Sequence, residues 1–496
     1  MQTSELSSIP LYATLSYCWG GPQRKATSTE NLASYLDRIE LRTLPQTLQD
    51  SVFVTRKLGL QYIWIDSLCI VQDAELMKTH EVGRMEQIYS NSYITISANC
   101  ATSCEDGFLH TRKPWSGPTR EEIPFTCHDG SVGNVVISPA VNKENNFEFS
   151  DYLGRSQPID LRAWILQEAF MSTRMLLFTE RQIFWVCSET WGKDGGAVDR
   201  RDYYLWTGEM SRRVLKSPNA EDWVTLIKDY LKKEMTDPHD KLPALSSVAA
   251  YFSKTLNDRY VAGLWRNRLN TLLSWQNDCL SRKSLRRSPV WRAPSWSYMS
   301  VDGEISFEHH SMVPSHPKHG TTLLVKVLEC DAQPLSLDAP FGRLHSAYLR
   351  VTGRLIQAQP IRDDIWSSST RECYGVYPMG TKTASFDSSY GNIEYDTFSE
   401  EGSELSVLTN HGSRHPNDPV WCLLVHYQSN SVHLETLKRS KRQMSRWWGD
   451  WEPWWGGWGL VLDKLANGKY HRIGYFTFFS HLSLFYEQPQ QTLDIV

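Results

Sequence analysis

The first hundred residues alternate between strand-like and helix-like patterns of hydrophobic positions. Tyr12–Tyr17 alternates apolar and polar residues, and Gln61–Asp66 is a short apolar run that indicates a buried strand ending in a carboxylate. A helix is predicted to begin after Pro45, because the fixed φ of proline suits a first turn. Ala74–Ser92 has the pattern of a second helix and Tyr93–Ala98 that of a further strand. Strands that alternate with helices predict a parallel sheet covered on both faces.

Beyond the first hundred residues, the predicted elements change from mainly helices to mainly strands. Arg162–Phe170 is predicted as a short helix, followed by a hairpin of Met175–Thr179 and Gln182–Cys187. Strand patterns dominate from about Leu323 onward, where Asn467-Gly468 is a strong hairpin signal. The predicted fold class is therefore α/β, with an N-terminal parallel sheet, a helical segment and a β-rich C-terminal region.

These patterns predict three domains. They are an α/β domain at 1–200, a helical middle segment at 201–305 and a β-rich region at 306–496. Within the last, residues 361–418 are rich in Ser, Thr, Gly and charge, which favours a flexible insertion.

Composition narrows the classes of function. The 496 residues contain 52 Lys and Arg against 56 Asp and Glu, a net charge of −4 that argues against a nucleic-acid partner. Ten cysteines are too few for a disulfide scaffold, no signal peptide is visible, and no apolar run approaches the roughly 20 residues that span a bilayer. Cys100 and Cys104 have metal-like spacing but no second pair, so no metal site is expected. We expect a cytoplasmic protein without a membrane span.

Five segments follow one another along the chain: Tyr12–Gly20 (YATLSYCWG), Leu44–Leu48 (LPQTL), Tyr62–Ile70 (YIWIDSLCI) with Gln72 and Asp73, Glu81 with Met85, Ile88 and Tyr89, and Arg162–Glu168 (RAWILQE) with Arg174. Taken in this order, they resemble the fungal heterokaryon incompatibility (HET) domain. The resemblance covers about residues 10–190 and extends more weakly to about residue 305. It implies a role in non-self recognition and in the programmed cell death that follows fusion of genetically different fungal cells.

The HET family is distantly similar to TIR domains, some of which cleave NAD at the nicotinamide glycosidic bond. The resemblance therefore implies a TIR-like sheet and NAD as a possible substrate, with no bound cofactor required. A non-enzymatic alternative stays open, in which the domain signals by self-association and recognises an incompatibility partner protein.

Glu81 is the candidate catalytic residue. On a continuous helix it would share one face with Met85, Ile88 and Tyr89, because spacings of four, seven and eight residues fall on one side. A carboxylate on that apolar face must be paired, hydrogen-bonded or functional. One hypothesis is a carboxylate that contacts a ribose and stabilises an oxocarbenium-like transition state. The alternative is a carboxylate at the edge of that face that is satisfied by an arginine or by a backbone amide.

Candidate binding residues follow the first two strands. Asp66 and Ser67 end a buried strand, and ligands of open α/β sheets lie beyond the carboxyl ends of strands. Tyr17, Trp19 and Gly20 leave the first strand in the same way: Trp19 would stack on a base or nicotinamide ring, and Gly20 would let a ligand approach the backbone. The structural alternatives are an Asp that caps a turn and a Trp that packs in the core.

Three further features complete the candidates. Arg174 is expected to complete the cleft from its far side, or else to neutralise Glu168. A weaker hypothesis makes Cys69 a nucleophile, with His80 as its base. Six tryptophans lie within 447–458 beside a basic run, which favours either a nucleic-acid or membrane contact or an aromatic loop packed on the terminal strands.

Overall fold

A computed structural model shows two compact units, Met1–Ser217 and Pro218–Val496. It describes residues 10–110, 121–126, 130–137, 157–180, 183–187, 189, 191–193, 218–278, 285–307, 320–362, 374–378, 391–401, 404–409, 412–429, 456–478 and 483–496.

The first unit combines strands and helices. Its described strands are β1 (Tyr12–Ser16), β2 (Tyr62–Trp64), β3 (Ile94–Ser97), β4 (Glu121–Thr126), β5 (Val132–Ile137), β6 (Arg174–Phe178), β7 (Ile183–Cys187) and β8 (Trp191–Lys193). Its described helices are α1 (Leu32–Asp37), α2 (Gln46–Lys57), α3 (Asp66–Cys69), α4 (Glu75–Gly83), α5 (Met85–Ser90) and α6 (Ile165–Met171).

A six-stranded sheet organises this unit, in the order β2-β1-β3-β6-β7-β8. The first four strands run parallel, as predicted, whereas β6, β7 and β8 pair antiparallel and make the sheet mixed. The physical reason is that only four residues, 179–182, separate β6 from β7, since only antiparallel neighbours can be joined by so short a connection. Because β2 and β3 flank β1, the strand order reverses between β1 and β3. That switch point is where open α/β sheets bind ligands.

The two faces of β1 and β3 differ in polarity although both are buried. Ala13 and Leu15 pack with Ile94 and Ile96 in an apolar core that also contains residues of α2. The alternate positions form a ladder of hydroxyls: Thr14 Oγ1 and Thr95 Oγ1 lie 2.7 Å apart, and Thr95 Oγ1 lies 2.5 Å from the hydroxyl of Ser172, just after α6. Because strand side chains alternate between faces, the sheet presents a buried polar face on the side of α6.

The second unit begins with helices and continues into a large sheet. Its described helices are α7 (Ala220–Leu231), α8 (Ser246–Leu256), α9 (Leu269–Leu272) and α10 (Ser483–Tyr486). Its short strands are β9 (Tyr260–Val261), β10 (Leu264–Trp265), β11 (Gln276–Asn277), β12 (Arg286–Arg287), β13 (Val301–Asp302) and β14 (Ile305–Ser306). The later strands are β15 (Gly320–Leu323), β16 (Lys326–Pro334), β17 (Leu344–Arg362), β18 (Tyr374–Pro378), β19 (Gly391–Tyr395), β20 (Phe398–Glu401), β21 (Glu404–Thr409), β22 (Gly412–Arg414), β23 (Val420–Ser429), β24 (Gly456–Lys464), β25 (Tyr470–Phe478) and β26 (Gln490–Ile495).

The nine-stranded sheet confirms a β-rich C-terminal region. Its order is β15-β23-β24-β25-β19-β18-β17-β16, and β26 pairs with β17 and β25. Strands β18 to β22 lie within 361–418, the range for which an insertion was predicted. Residues 218–305 share a compact unit with this sheet; the three-domain division stays a prediction.

None of the helices in the described ranges combines the length and the apolar character that crossing a bilayer requires.

Candidate functional site

Four of the sequence-predicted residues meet at the carboxyl ends of β1 and β2. The indole Nε1 of Trp19 donates to Oδ2 of Asp66 at 2.9 Å, and the hydroxyl of Tyr17 donates to Oγ of Ser67 at 2.8 Å. Oδ1 of Asp66 accepts the Ser67 N–H at 2.6 Å. Asp66 is thus the first residue of α3 and at the same time the hydrogen-bond acceptor of the Trp19 indole.

A charged cluster of Asp66, Arg162 and Glu168 lies at the same edge, and the hydrophobic pattern of the sequence did not predict it. The Arg162 guanidinium donates to the carbonyl of Tyr17, and its Nη2 lies 3.8 Å from Oε1 of Glu168. Glu168 also accepts a hydrogen bond from the Ser16 hydroxyl. The Glu168 side chain is 3% exposed and that of Arg162 is 21% exposed.

The charges of this cluster do not balance. Burial raises the pKa of Asp66 and the pKa of Glu168, and the positive charge of Arg162 opposes both shifts. The negative charge of Asp66 further raises the pKa of Glu168. Two carboxylates therefore share one guanidinium within the cluster, and one negative charge is left over when both are ionised.

Two buried polar atoms at the end of β3 have no hydrogen-bond partner among the described residues. They are Oγ of Ser97 and Oδ1 of Asn99, on residues that are 0% and 1% exposed. Ser97 pairs in register with Ser16 in a parallel arrangement, so its side chain shares the sheet face from which Ser16 reaches Glu168. The switch point between β1 and β3 thus carries unused hydrogen-bonding capacity.

The helix that carries Glu81 is broken. Instead of one helix over Ala74–Ser92, α4 ends at Gly83 and α5 starts at Met85, with Arg84 between them at φ −97° and ψ 0°. The physical reason is the weak helix propensity of glycine together with the non-helical angles of Arg84. Met85 and Tyr89 are buried as predicted, but α4 has no fully buried residue. The apolar face of α5 therefore does not continue to Glu81.

Glu81 lies at a half-buried position on α4. Its side chain is 30% exposed, and its Oε1 lies 3.6 Å from Nη1 of Arg84 and 3.5 Å from Nδ1 of His80. Exposed pairs of this kind contribute little to stability, so Arg84 leaves the carboxylate free to exchange partners. Desolvation, with added contributions from Asp66 and Glu81, raises the pKa of Cys69 to about 11. The raised pKa disfavours the thiolate form that a nucleophilic Cys69 would need, although the residue itself is exposed.

Gly20 permits a close approach of the protein's own backbone. Its φ is +72°, and a Cβ placed on it would lie 2.7 Å from Cα of Ser103 and 3.2 Å from the carbonyl oxygen of Thr102. The loop at 102–103 thus closes directly over the residue that follows Trp19.

Gly20→Ala should lower the free energy of unfolding of the first unit by about 2–4 kcal/mol, since it combines left-handed strain with a backbone clash. Gly59→Ala is the matched control, because Gly59 has φ +76° with no atom within 4 Å of its added Cβ. That variant should lose only about 1 kcal/mol. Urea unfolding followed by the ¹⁹F signal of 5-fluorotryptophan at Trp19 measures both; equal losses would show that the Ser103 contact is unimportant.

Arg174 lies away from the other candidates. It opens β6, donates from Nη1 to the carbonyl of Tyr93 at 3.3 Å and stacks over the Tyr93 ring. Tyr93 precedes β3, and β3 and β6 are parallel, so this contact lies at the amino edge of the sheet. Arg162, not Arg174, pairs with Glu168. The sequence signal for Arg162 was weak because it precedes α6 and has no helical spacing to Glu168.

Two further points of the sequence analysis concern a metal site and the Trp-rich segment at 447–458. In the part of the chain that the structure describes, no group of three or more His, Cys, Asp or Glu side chains could hold a metal ion. Trp447 to Trp455 and the preceding basic run lie outside the described residues, whereas Trp458 is buried in β24.

Comparison with known proteins gives one match. Residues 12–168 match the family model described as "Heterokaryon incompatibility protein (HET)", a range that includes β1 to β3 and ends at Glu168. No curated protein and no solved structure shows significant similarity to the chain, so the likeness of its sheet to TIR domains stays a prediction. The N-terminal α/β unit of this chain therefore contains a heterokaryon incompatibility (HET) domain.

Proposed function

We propose that this chain acts in fungal non-self recognition, with its HET domain as the part that triggers programmed cell death. The match to the HET family model supports this role. The matched range includes Trp19, Asp66 and Arg162 at the carboxyl edge of the sheet. A cytoplasmic location, self-association and recognition of an incompatibility partner belong to the same proposal.

The reaction we propose is hydrolysis of NAD at the nicotinamide glycosidic bond. The bond from C1′ of the ribose to the ring nitrogen breaks, its electron pair stays on nicotinamide, water adds at C1′ and a proton is released. The observation that carries this proposal is the pair of carboxylates, Asp66 and Glu168, that share the charge of Arg162 at the carboxyl edge of the sheet. The role of Glu81 is proposed from the family resemblance. The transition state is oxocarbenium-like, and carboxylates held in place stabilise such a cation.

A non-enzymatic signalling module is the second candidate. The observation in its favour is that Glu81 lies next to the guanidinium of Arg84 and the imidazole of His80, while Trp19 and Asp66 are hydrogen-bonded to each other. In this alternative the charged cluster shapes a surface for self-association or for a partner, and no NAD is consumed.

Expression of the full chain in a fungal host distinguishes NAD hydrolysis from the non-enzymatic signalling module. Wild-type protein should kill cells and deplete total NAD, and Glu81→Gln should abolish both effects while the protein still accumulates. Glu86→Gln, which changes a carboxylate on the neighbouring helix α5, is the matched control and should behave as wild type. Death with constant NAD would overturn hydrolysis and favour the signalling module. Death with NAD loss in Glu81→Gln would overturn the role of Glu81.

A further inference from the structure

We propose that the second unit carries a docking site for a partner protein, in the cleft between β26 and the turn that joins β24 to β25. The ligand we assign to it is an extended peptide segment that contains an acidic side chain and adds to β26 as a further strand. This inference goes beyond the proposed function, because it gives the second unit a binding surface whether or not the first unit hydrolyses NAD. The cleft has a volume of about 460 Å³ and is lined by residues 467–469, residues 492–494 and Arg350.

Strand β26 has one paired edge and one edge that is largely unpaired. Its paired edge runs antiparallel along residues 349–354 of β17. Its other edge pairs with β25 only where Ile495 lies opposite Tyr470, and the next residue, Val496, donates its N–H to the Tyr470 carbonyl at 3.0 Å. Because β25 begins at Tyr470, the preceding residues of β26 lie beside the turn and not beside a strand.

The backbone groups on the unpaired edge follow from the register. In an antiparallel pair, successive residues alternate between those that bond to the partner strand and those that do not. Val496 bonds towards β25, so the alternate residues Asp494 and Thr492 direct their backbone groups to the same side. Leu493 and Ile495 then bond to β17. The N–H of Asp494 and both backbone groups of Thr492 bond to no other strand among the described residues, and such edges are where an added strand pairs.

The turn on the other side of the cleft satisfies its own hydrogen bonds. The Gly468 N–H donates to the Leu465 carbonyl at 2.9 Å, and the Leu465 N–H donates to the Lys469 carbonyl at 2.9 Å. The Lys469 N–H donates to Oδ1 of Asn467 at 3.0 Å. The turn is therefore closed on itself and leaves the backbone groups of β26 available to a ligand.

The side chains that line the cleft carry a net positive charge. Arg350 and Lys469 contribute two positive charges, and Asp494 contributes one negative charge. Arg350 is already held, since it donates to Asp494 from Nε at 2.7 Å and to Glu329 from Nη1 at 3.2 Å. The hydrogen bond from Arg350 lowers the pKa of Asp494, and the charge of Lys469 adds to this effect. Lys469 forms no ion pair with another described residue, so an acidic side chain of the ligand would pair with it.

Hydrogen exchange of the full-length chain tests the unpaired edge before a ligand is added. The amides of Thr492 and Asp494 should exchange at least about tenfold faster than those of Leu493 and Ile495, which bond to β17. Mass spectrometry with single-residue fragmentation measures the four rates. Slow exchange at Thr492 and Asp494 at every protein concentration would show that the chain itself covers the edge. Protection that rises with concentration would show that a second copy does, and either result would overturn the proposal.

A phage library of random linear seven-residue peptides is the probe for the ligand. Selection on the full-length chain should enrich peptides that contain Asp or Glu, and a synthetic copy of an enriched peptide should slow exchange at Thr492 and Asp494. Replacing its acidic residue by the matching amide should weaken binding about tenfold, because Lys469 then loses its partner. A selection without enrichment, or enriched peptides that leave both amides unchanged, would overturn the site.

Two variants distinguish backbone pairing from charge. Thr492→Pro removes an N–H that faces the cleft and should weaken peptide binding at least about tenfold, and edge strands tolerate proline where the sheet does not use the N–H. Lys469→Gln should weaken binding of the acidic peptide about tenfold. Lys326→Gln, at an exposed lysine of the edge strand β16, is the matched control and should bind as wild type. Unchanged binding by Lys469→Gln would overturn the proposal even if Thr492→Pro failed to fold.

The outcome is separable from that of the proposed function. NAD loss in the fungal host together with a failed peptide selection would leave the enzyme proposal standing and remove the docking site. Peptide binding that depends on Lys469 in a chain that consumes no NAD would retain the docking site and remove the enzyme proposal.

Discussion

Arg162→Met should lower the free energy of unfolding of the first unit by about 3–5 kcal/mol. The guanidinium is the positive charge that Asp66 and Glu168 share, and it also donates to the Tyr17 carbonyl. Its removal leaves the buried Glu168 and the half-buried Asp66 without a counter-ion in the cluster. Urea unfolding followed at fluorinated Trp19 measures the loss.

Two comparisons distinguish loss of charge compensation from loss of packing. The double variant Arg162→Met/Glu168→Gln should recover much of the stability, because no uncompensated Glu168 charge remains. Arg174→Met, which removes an exposed arginine at the amino edge, should change stability little. If the double variant were as unstable as the single one, packing and not charge would explain the effect.

The stability of the single variant Arg162→Met should depend on pH in a defined direction. Burial raises the pKa of Asp66 and of Glu168 in the folded state, so the folded protein binds these protons more tightly than the unfolded chain does. Stability contributed by these groups therefore falls as pH rises through the folded pKa values. Without Arg162 both pKa values rise further. The loss of stability caused by Arg162→Met should therefore become smaller as the pH is lowered. A loss of stability that became larger in acid would contradict this assignment.

Asp396→Asn should destabilise the second unit by about 3–5 kcal/mol or prevent its folding. Asp396 accepts from Nη2 of Arg287 at 3.0 Å and from Nε and Nη2 of Arg472 at 3.1 Å. Neither arginine side chain is more than 4% exposed, and burial lowers the pKa of Arg287 to about 10. Without the carboxylate, two buried positive charges would lack a counter-ion.

A surface pair in the same unit provides the control. Asp494 bonds to Nε of Arg350 at 2.7 Å, but both side chains are substantially exposed. Asp494→Asn should therefore lower stability far less than Asp396→Asn. Thermal unfolding of the two variants by calorimetry tests the difference; equal shifts in Tm would show that burial of the pair does not determine its contribution.

Much of the first unit could be predicted from local patterns. The alternation in Tyr12–Tyr17, the helix after Pro45 and the hairpin after α6 all correspond to observed elements. The helix over Ala74–Ser92 was only half right, because Gly83 and Arg84 interrupt it and Glu81 loses the apolar face of α5. A break of one residue is invisible to periodicity, since the positions on either side still fit helical spacing.

By itself, the sequence determined the type and order of several elements of the first unit, from β1 to the hairpin of β6 and β7, and the match to the HET family model over residues 12–168. These follow from information contained within short stretches of chain. Only the tertiary structure decided which charges meet. Asp66 and Arg162 are 96 positions apart by number (162 − 66 = 96), and they come into electrostatic reach where parallel strands end at one edge of the sheet. Arg174 is the first residue of β6 and therefore lies at the opposite, amino edge of the sheet, away from Asp66 and Arg162.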